Sequence, residues 1–223
     1  FSFVDTMTLE NSNFKVERVL NFFYTRHAVA NYVSVTANSY ATFVIDSQSE
    51  HTVLNNCRSS GAQARLYGYD TLIQAGYYED GVIFGDSAAN WYGRNIVIDG
   101  AFISGAGPLT LFCESAVVKN SRLVSLWDHV INIQNSSTLH SKYVLLEGNV
   151  IDTGNHSIYG ILVSDVAYLH LSNNFLIGAG NGLYCANYTQ TVDVISNIFE
   201  ISGQKVYTSE NWQGTLTLER NKG

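Results

Sequence analysis

Residues 144–154 read VLLEGNVIDTG, and residues 169–180, twenty-five positions later, read LHLSNNFLIGAG. Both stretches begin with alternating apolar residues, continue with a polar pair that ends in Asn149 or Asn174, and finish with a second apolar run that Gly stops. Alternation is typical of a half-buried strand, and Asn is common in tight turns because it tolerates the left-handed backbone region. The two stretches therefore predict the same unit, in which an Asn-containing turn joins two short strands.

The repeat can be followed along the chain through a short anchor, an aliphatic residue followed three positions later by Asn. It begins at Leu146, Leu171, Val194 and Leu218, in degenerate form at Ile98 and Val118, and more loosely at Leu9, Val35 and Leu54. Successive anchors from Ile98 onward are 20, 28, 25, 23 and 24 residues apart. Such a period indicates a solenoid. About nine repeats of roughly 23 residues fit if one weakly marked repeat lies between Leu54 and Ile98.

Each repeat contains a third extended run after the Gly, seen in PLTLFC, HVINI, YGILV, NGLYC and KVYT. Three short strands in about 23 residues describe one coil of a parallel β-helix. An antiparallel β-sandwich would also have many short strands, but it gives no reason for the same turn residue in every repeat. The pattern therefore favours the β-helix.

The pattern resembles the pectate-lyase-like superfamily, whose turn asparagines stack into a ladder along the coil axis. Asn149, Asn174, Asn197 and Asn221 match the ladder position, and Asn38 matches it earlier in the chain. The resemblance implies an all-β fold, a single-stranded right-handed parallel β-helix of about nine to ten coils. The superfamily includes lyases, hydrolases, epimerases, phage tailspikes and non-catalytic adhesins, so the resemblance indicates the fold and leaves the function open.

Composition narrows the class of protein. The 223 residues are 46% hydrophobic and 14% charged, which is enough apolar material for one folded domain over residues 1–223. A net charge of −7 without a cluster of Lys or Arg argues against nucleic-acid binding. No apolar run reaches the length of a membrane span, and the first residues lack the features of a signal peptide. The chain stops directly after an anchor, so we expect a fragment of a longer chain.

When the third strand of each coil is stacked on that of the next, alternate residues form columns along the coil axis, and two of these columns are predicted to point inward. One inward column contains Cys113 and Cys185, which are three coils apart. That separation, about 14 Å at ~4.8 Å per coil, is too long for a disulfide, so free buried thiols are expected. The outward column is unusually apolar and consists of Phe112, Asn132, Leu162, Tyr184 and Tyr207. It predicts contact with another subunit or with sugar rings, or it is incidental. No metal-ligand spacing such as CxxC occurs, and no metal site or cofactor is predicted.

Two stretches resemble active-site motifs of the superfamily. LWDHVINI, residues 126–133, is similar to the WIDH signature of pectate lyases through Trp127, Asp128 and His129, with one residue missing and no arginine-proline element. GNHSIYGILV, residues 154–163, resembles the Gly-His-Gly element of polygalacturonases, with His156 in the place of the catalytic histidine and neighbours that do not match.

The catalytic candidates are Asp128, Asp152, His156 and Asp165. Neighbouring coils are expected to bring the three carboxylates within reach of one another, as general acid and base chemistry requires, although solvated turn residues would give the same pattern. Flat aromatic rings hold pyranose faces well. The candidates for sugar binding are Trp91, Tyr92, Trp127, Tyr159, Tyr184 and Trp212.

Scarce Pro, few Cys and abundant Asn, Gly and Tyr make the chain similar to phage tailspikes. The resemblance implies an extracellular or virion-surface β-helix that recognises surface polysaccharide; the residues leave open whether it also cleaves it. One alternative is a carbohydrate-active hydrolase or lyase, and another is a non-catalytic stalk or adhesin. A homotrimer or a capping domain in the parent chain would cover the ends of the stack.

Overall fold

The structure, a computed structural model, describes residues 5–22, 24–85, 92–134, 141–156, 158–186 and 188–223. These residues form strands, turns and bends without a helix, and none of them forms an apolar helix of membrane-spanning length. The strands in chain order are β1 (Thr6–Glu10), β2 (Asn13–Val16), β3 (Leu20–Phe22), β4 (His27–Asn31), β5 (Ser34–Ala37), β6 (Phe43–Ile45), β7 (Glu50–Asn55), β8 (Arg58–Ser60), β9 (Ala64–Leu66), β10 (Tyr69–Gln74), β11 (Tyr77–Tyr78), β12 (Val82–Phe84), β13 (Ile96–Asp99), β14 (Phe102–Gly105), β15 (Leu109–Leu111), β16 (Ser115–Lys119), β17 (Arg122–Ser125), β18 (Ile131–Ile133), β19 (Ser141–Glu147), β20 (Val150–Asp152), β21 (Tyr159–Val163), β22 (Val166–Ser172), β23 (Phe175–Gly178), β24 (Asn181–Cys185), β25 (Thr191–Ile195), β26 (Ile198–Ile201), β27 (Val206–Thr208) and β28 (Thr215–Glu219).

The strands pair in parallel into three sheets, and each coil adds one strand to each sheet. Every third strand from β1 to β28 forms the first sheet, those from β2 to β26 the second, and those from β3 to β27 the third. Leu9 and Leu218 occupy the same column of the first sheet nine coils apart, so a coil averages 209/9, or about 23, residues. The predicted parallel β-helix of about nine coils is confirmed.

The inward column that contains these two leucines also identifies the repeat that the sequence marks weakly. Ile73 pairs with Leu54 on one side and Ile98 on the other, and it is fully buried. In the second coil the same column is occupied by Ala30. The prediction that Val35 and Asn38 mark an anchor is therefore wrong: Val35 lies in β5 of the second sheet, and Asn38 follows that strand as an exposed residue.

A two-residue corner follows every strand of the first sheet. Its first residue has a positive φ in all ten coils, for example 63° at Gly148 and 55° at Asn173. Gly and Asn adopt this left-handed conformation at lower cost than other residues, which explains why they recur here. Its second residue turns into the coil, where Asn149 and Asn174 are each 1% exposed. The repeated polar pair of the sequence is this corner.

The inward asparagines form the predicted ladder. Asn174 Oδ1 accepts hydrogen bonds from the backbone N–H and the side-chain amide of Asn149, both at 3.0 Å, and Asn197 Oδ1 accepts the same pair from Asn174. Asn221 continues the ladder below Asn197, and Ser121 continues it above Asn149, where its backbone N–H donates to Asn149 Oδ1 at 3.0 Å. The ladder satisfies backbone groups that a buried corner would otherwise leave unpaired.

The register of the third sheet corrects part of the predicted outward column. Thr110, rather than Phe112, stacks on Asn132, and the column then runs through Leu162, Tyr184 and Tyr207 as expected. The same shift removes Cys113 from the column of Cys185. The prediction of free, buried thiols is confirmed for Cys113 and Cys185, and Cys57 is free and buried as well. Burial raises the pKa of Cys113 and of Cys185 to about 12, so these thiols are unreactive at neutral pH.

Candidate functional site

The corner between the second and third sheets brings together five of the side chains that carry possible chemistry. The loop after β17 supplies Trp127, Asp128 and His129, and the next coil supplies His156 and Tyr159. We call these five residues the Trp127 corner. The two sequence motifs that suggested active sites thus lie on adjacent coils and contact each other.

Ser125 holds the turn that presents Trp127. Its Oγ accepts hydrogen bonds from the backbone N–H groups of Trp127 (3.2 Å) and Asp128 (3.1 Å) and donates to the Asp128 carbonyl. The Asp128 N–H also lies 2.6 Å from the carbonyl of Ala106 in the preceding coil. With its backbone fixed in this way, the loop projects the indole outward, and Trp127 is 73% exposed. A rigid loop that presents a large exposed aromatic ring is typical of a binding site.

The two histidines connect the loop to the next coil. The ring of His156 lies 5.2 Å from that of Trp127, and the ring of His129 lies 5.6 Å from that of Tyr159. His129 Nδ1 accepts the backbone N–H of Tyr159 at 3.3 Å, so the hydrogen of the neutral imidazole is on Nε2. Nε2 in turn lies 3.7 Å from Asp128 Oδ1. The contact with Tyr159 defines the tautomer of His129, and the imidazole lies beside the Asp128 carboxylate at a distance longer than a hydrogen bond.

Tyr159 begins a row of stacked tyrosines that continues along the outer face of the third sheet. Its ring centroid lies 4.8 Å from that of Tyr184, and Tyr184 lies 5.2 Å from Tyr207. Desolvation, together with the neighbouring phenols, raises the pKa of Tyr159. Because the rings cover one another's faces, they present edges and hydroxyl groups to solvent rather than flat platforms.

The predicted carboxylates occupy three different places. Asp128 is in the Trp127 corner, and its side chain is 65% exposed. Asp152 lies on β20 in the second sheet, where it accepts the Gly154 N–H at 2.8 Å and lies 3.8 Å from Arg122 Nη2. Asp165 follows β21 at the opposite corner, between the third and first sheets. A five-residue strand, about 16 Å long, separates it from the Trp127 corner. The structure therefore does not bring Asp165 to Asp128, contrary to the expectation that all three meet.

The two remaining aromatic candidates that the structure describes, Tyr92 and Trp212, lie elsewhere. Trp91 falls outside the described residues. Tyr92 lies between the third and first sheets, next to the bridge that pairs Gly93 with Cys113. Trp212 is partly buried against the core, and its indole N–H donates to the Thr189 carbonyl at 2.7 Å. These contacts give Trp212 a packing role, and its role in sugar binding stays a prediction.

Sequence reasoning missed a polar cluster on the outer face of the first sheet. The Tyr168 hydroxyl donates to Asp193 Oδ2 at 2.5 Å, and His170 Nδ1 lies 3.9 Å from the same oxygen. The ring of Tyr143 stacks on Tyr168 at 5.6 Å. The Tyr168 hydroxyl holds the pKa of Asp193 below its usual range, while the carboxylate raises the pKa of Tyr168 to about 12. The signal in the sequence was the alternation of Tyr168 and His170 on the outward positions of one strand.

Replacing Tyr168 with Phe is expected to lower the free energy of unfolding by about 1 kcal/mol at pH 7, because the Asp193 carboxylate loses its hydroxyl donor. A lowered folded-state pKa contributes stability above the ordinary Asp value of about 3.9, and that stability is lost as the pH falls through the folded pKa. The difference between the two proteins should therefore shrink below about pH 4. Urea unfolding at pH 7 and pH 3 measures it. A difference that does not change with pH would contradict this account.

Among the described residues, no group of three or more His, Cys, Asp or Glu side chains is arranged to hold a metal ion. Comparisons with protein-family models, with curated protein sequences and with solved structures give no match. On the described surface, the Trp127 corner brings together an exposed aromatic face, a carboxylate and two imidazoles.

Proposed function

We propose that this β-helix belongs to an extracellular or virion-surface protein and recognises polysaccharide at the Trp127 corner. The observation that carries the proposal is the exposed indole of Trp127, held by Ser125 beside His156 and Asp128. An indole face contacts the apolar face of a pyranose, and carboxylates, imidazoles and phenols form hydrogen bonds with its hydroxyl groups. The tyrosine row extends this surface along the coil axis, which suits a ligand made of repeating units.

Replacing Trp127 with Ala is expected to weaken glycan binding at least about tenfold, because a central aromatic contact commonly dominates an interface. The assay is binding to an array of bacterial capsular and O-antigen polysaccharides, followed by titration calorimetry with the best ligand. Tyr188→Ala is the matched control: Tyr188 is also 73% exposed but lies at the opposite corner, before β25. Equal losses in both variants, or no binding by the unmodified protein, would refute the proposal.

Cleavage of the bound polysaccharide, by hydrolysis or by elimination, is a second candidate function. It is favoured by the contact between His129 and Asp128, because an exposed carboxylate next to an oriented imidazole can transfer protons. Asp152, the second carboxylate candidate, is engaged by Arg122 and the Gly154 backbone.

If the chain is a polysaccharide-cleaving enzyme, Asp128→Asn should lower the rate of oligosaccharide release about 100-fold or more, a much larger loss than that in glycan affinity, because Asn still forms hydrogen bonds but does not transfer a proton. Asp152→Asn should have a much smaller effect. Chromatography of the released oligosaccharides measures the rate. Unchanged turnover in Asp128→Asn would exclude Asp128 as a catalytic residue, and no turnover in the unmodified protein would leave recognition alone as the function.

A further inference from the structure

The outer face of the first sheet has an aliphatic column along its centre. Residues of this column alternate with fully buried ones; Val97, for instance, lies between Ile96 and Ile98. The column is partly exposed over six successive coils and consists of Val29, Val53, Leu72, Val97, Val117 and Leu145. We call it the aliphatic strip. An outward column of a solvated sheet is normally polar, so a continuous aliphatic one indicates a surface that packs against something.

Charged residues flank the aliphatic strip in three neighbouring coils. On the upstream side lie Arg94, Glu114 and Lys142, which contact one another in the stack: Arg94 Nε is 3.2 Å from Glu114 Oε2, and Lys142 pairs with Glu114. On the downstream side lie Asp99, Lys119 and Glu147, with Lys119 Nζ 3.2 Å from Asp99 Oδ2.

In each of the three coils, the upstream and downstream charges have opposite signs. The coil of β13 carries Arg94 upstream and Asp99 downstream. The coil of β16 reverses the order, with Glu114 and Lys119, and the coil of β19 restores it, with Lys142 and Glu147. The sign of the charge therefore alternates from coil to coil on each side of the aliphatic strip.

This arrangement selects one way of placing two copies face to face. A two-fold axis parallel to the coil axis sets the upstream side of each coil opposite the downstream side of the same coil in the second copy. Arg94 then faces Asp99, Glu114 faces Lys119, and Lys142 faces Glu147. A two-fold axis parallel to the strands and centred on the β16 coil would instead set Lys142 opposite Arg94 and Glu147 opposite Asp99. Like charges in contact disfavour that second arrangement, and a strand-parallel axis midway between two of the three coils would pair opposite charges in those two coils only, whereas the axis parallel to the coil axis pairs them in all three.

We propose that the aliphatic strip packs against the same strip of a second copy of this chain, about a two-fold axis parallel to the coil axis. The whole face of ten strands at ~4.8 Å, each about five residues long at ~3.3 Å per residue, has a footprint of about 790 Å² per copy, of which the six coils of the aliphatic strip supply about 480 Å². A standard stable interface buries about 800 Å² per partner, so the face is large enough. The arrangement is a dimer, in contrast to the homotrimer that the tailspike resemblance implied.

Two charge reversals test this dimer. Glu147→Lys turns both symmetric contacts of the β19 coil into lysine against lysine, and Lys142→Glu turns both into glutamate against glutamate. Each variant alone should dimerise at least about tenfold more weakly than the unmodified chain. Mixed in equal amounts, the two variants should form a heterodimer. In one of its two contacts the introduced lysine faces the introduced glutamate, and in the other the original Lys142 faces the original Glu147.

Sedimentation equilibrium of the unmodified chain, of each variant and of their mixture provides the measurement. Glu200→Lys is the control for charge reversal, since Glu200 is exposed on the second sheet. Thermal unfolding checks that the variants remain folded. A monomer or a trimer in the unmodified chain, reversals without effect on association, or a mixture that fails to form the heterodimer would each overturn the proposal.

Discussion

Replacing Asn174 with Ala is expected to lower the free energy of unfolding by about 4 kcal/mol. The Asn174 amide donates to the Leu146 carbonyl at 2.8 Å, and its Oδ1 accepts the Asn149 backbone N–H at 3.0 Å. Both partners are buried beside a side chain that is itself 1% exposed. Alanine removes these two contacts together with the side-chain contacts to Asn149 and Asn197, and it leaves a space too apolar to solvate the orphaned groups, each of which costs about 1–3 kcal/mol.

Asn174→Ser is the variant to compare with Asn174→Ala, because it shows how much stability a hydroxyl group restores at this position. In the coil of β16, Ser121 occupies the ladder position, where its Oγ accepts the Ala101 N–H at 3.1 Å and donates to the Lys119 carbonyl at 2.8 Å. Serine should therefore recover part of the stability that alanine loses. Asn38→Ala, at an exposed position, should change stability by less than about 0.5 kcal/mol. Urea unfolding of the three variants measures the series; equal stability of Asn174→Ala and the unmodified chain would contradict the ladder.

Replacing Phe84 with Ala is expected to lower the free energy of unfolding by about 4 kcal/mol, because the substitution leaves a cavity in the core. Phe84 lies in β12, is fully buried, and stacks between Leu66 and Leu111 of the neighbouring coils. It belongs to the coil that the sequence marks weakly, so the variant tests whether that coil is as well packed as the others. Because parallel pairing holds the strands on either side in place, the side chains of Leu66 and Leu111 have little freedom to fill the cavity.

Phe84→Leu keeps most of the volume and should cost only about 1–2 kcal/mol. Leu126→Ala supplies a surface comparison, because Leu126 is 51% exposed and should tolerate truncation within about 0.5 kcal/mol. Thermal and urea unfolding of the three proteins provide the values. If Phe84→Ala unfolded at the same denaturant concentration as Leu126→Ala, the fourth coil would not be packed as described.

The fold could be predicted from the sequence because its repeating corner has a chemical signature. The pair formed by Gly148 and Asn149 recurs as Asn173 and Asn174, since one residue must adopt a positive φ and the next must satisfy buried backbone groups. Where other residue types occupy the two corner positions, the repeat is harder to recognise in the sequence. In the fourth coil, Ala75 has the positive φ and Gly76 follows it, so the anchor motif cannot be recognised there.

Register within the third sheet could not be predicted from alternation alone. In PLTLFC, a shift of two residues exchanges Leu109 and Leu111 for Leu111 and Cys113 without changing which residues alternate. A period-two pattern determines which residues face inward. A register shift of two residues keeps the same residues inward, so the pattern does not reveal it. The placement of Phe112 in the outward column was wrong for this reason.

The candidate site was predictable only in part. Trp127, Asp128 and His156 were found because each resembles a known motif, and the stacking of coils then placed them together. Asp165 was assigned to the same site because distance along the chain does not reveal which of the three corners a turn belongs to. Tyr168 and Asp193 were missed because they are 25 residues apart and look like ordinary outward strand positions.

Glycan recognition at the Trp127 corner is tested most directly by the indole N–H resonances of the chain, which has three tryptophans. The Trp127 signal is assigned by its loss in Trp127→Phe, and oligosaccharides from bacterial capsules and O-antigens are then titrated into the unmodified protein. We predict that a bound glycan shifts the Trp127 resonance and leaves that of Trp212, whose N–H is held by the Thr189 carbonyl, in place. A glycan that shifts Trp212 but not Trp127, or a panel in which no glycan shifts Trp127, would contradict the proposed site.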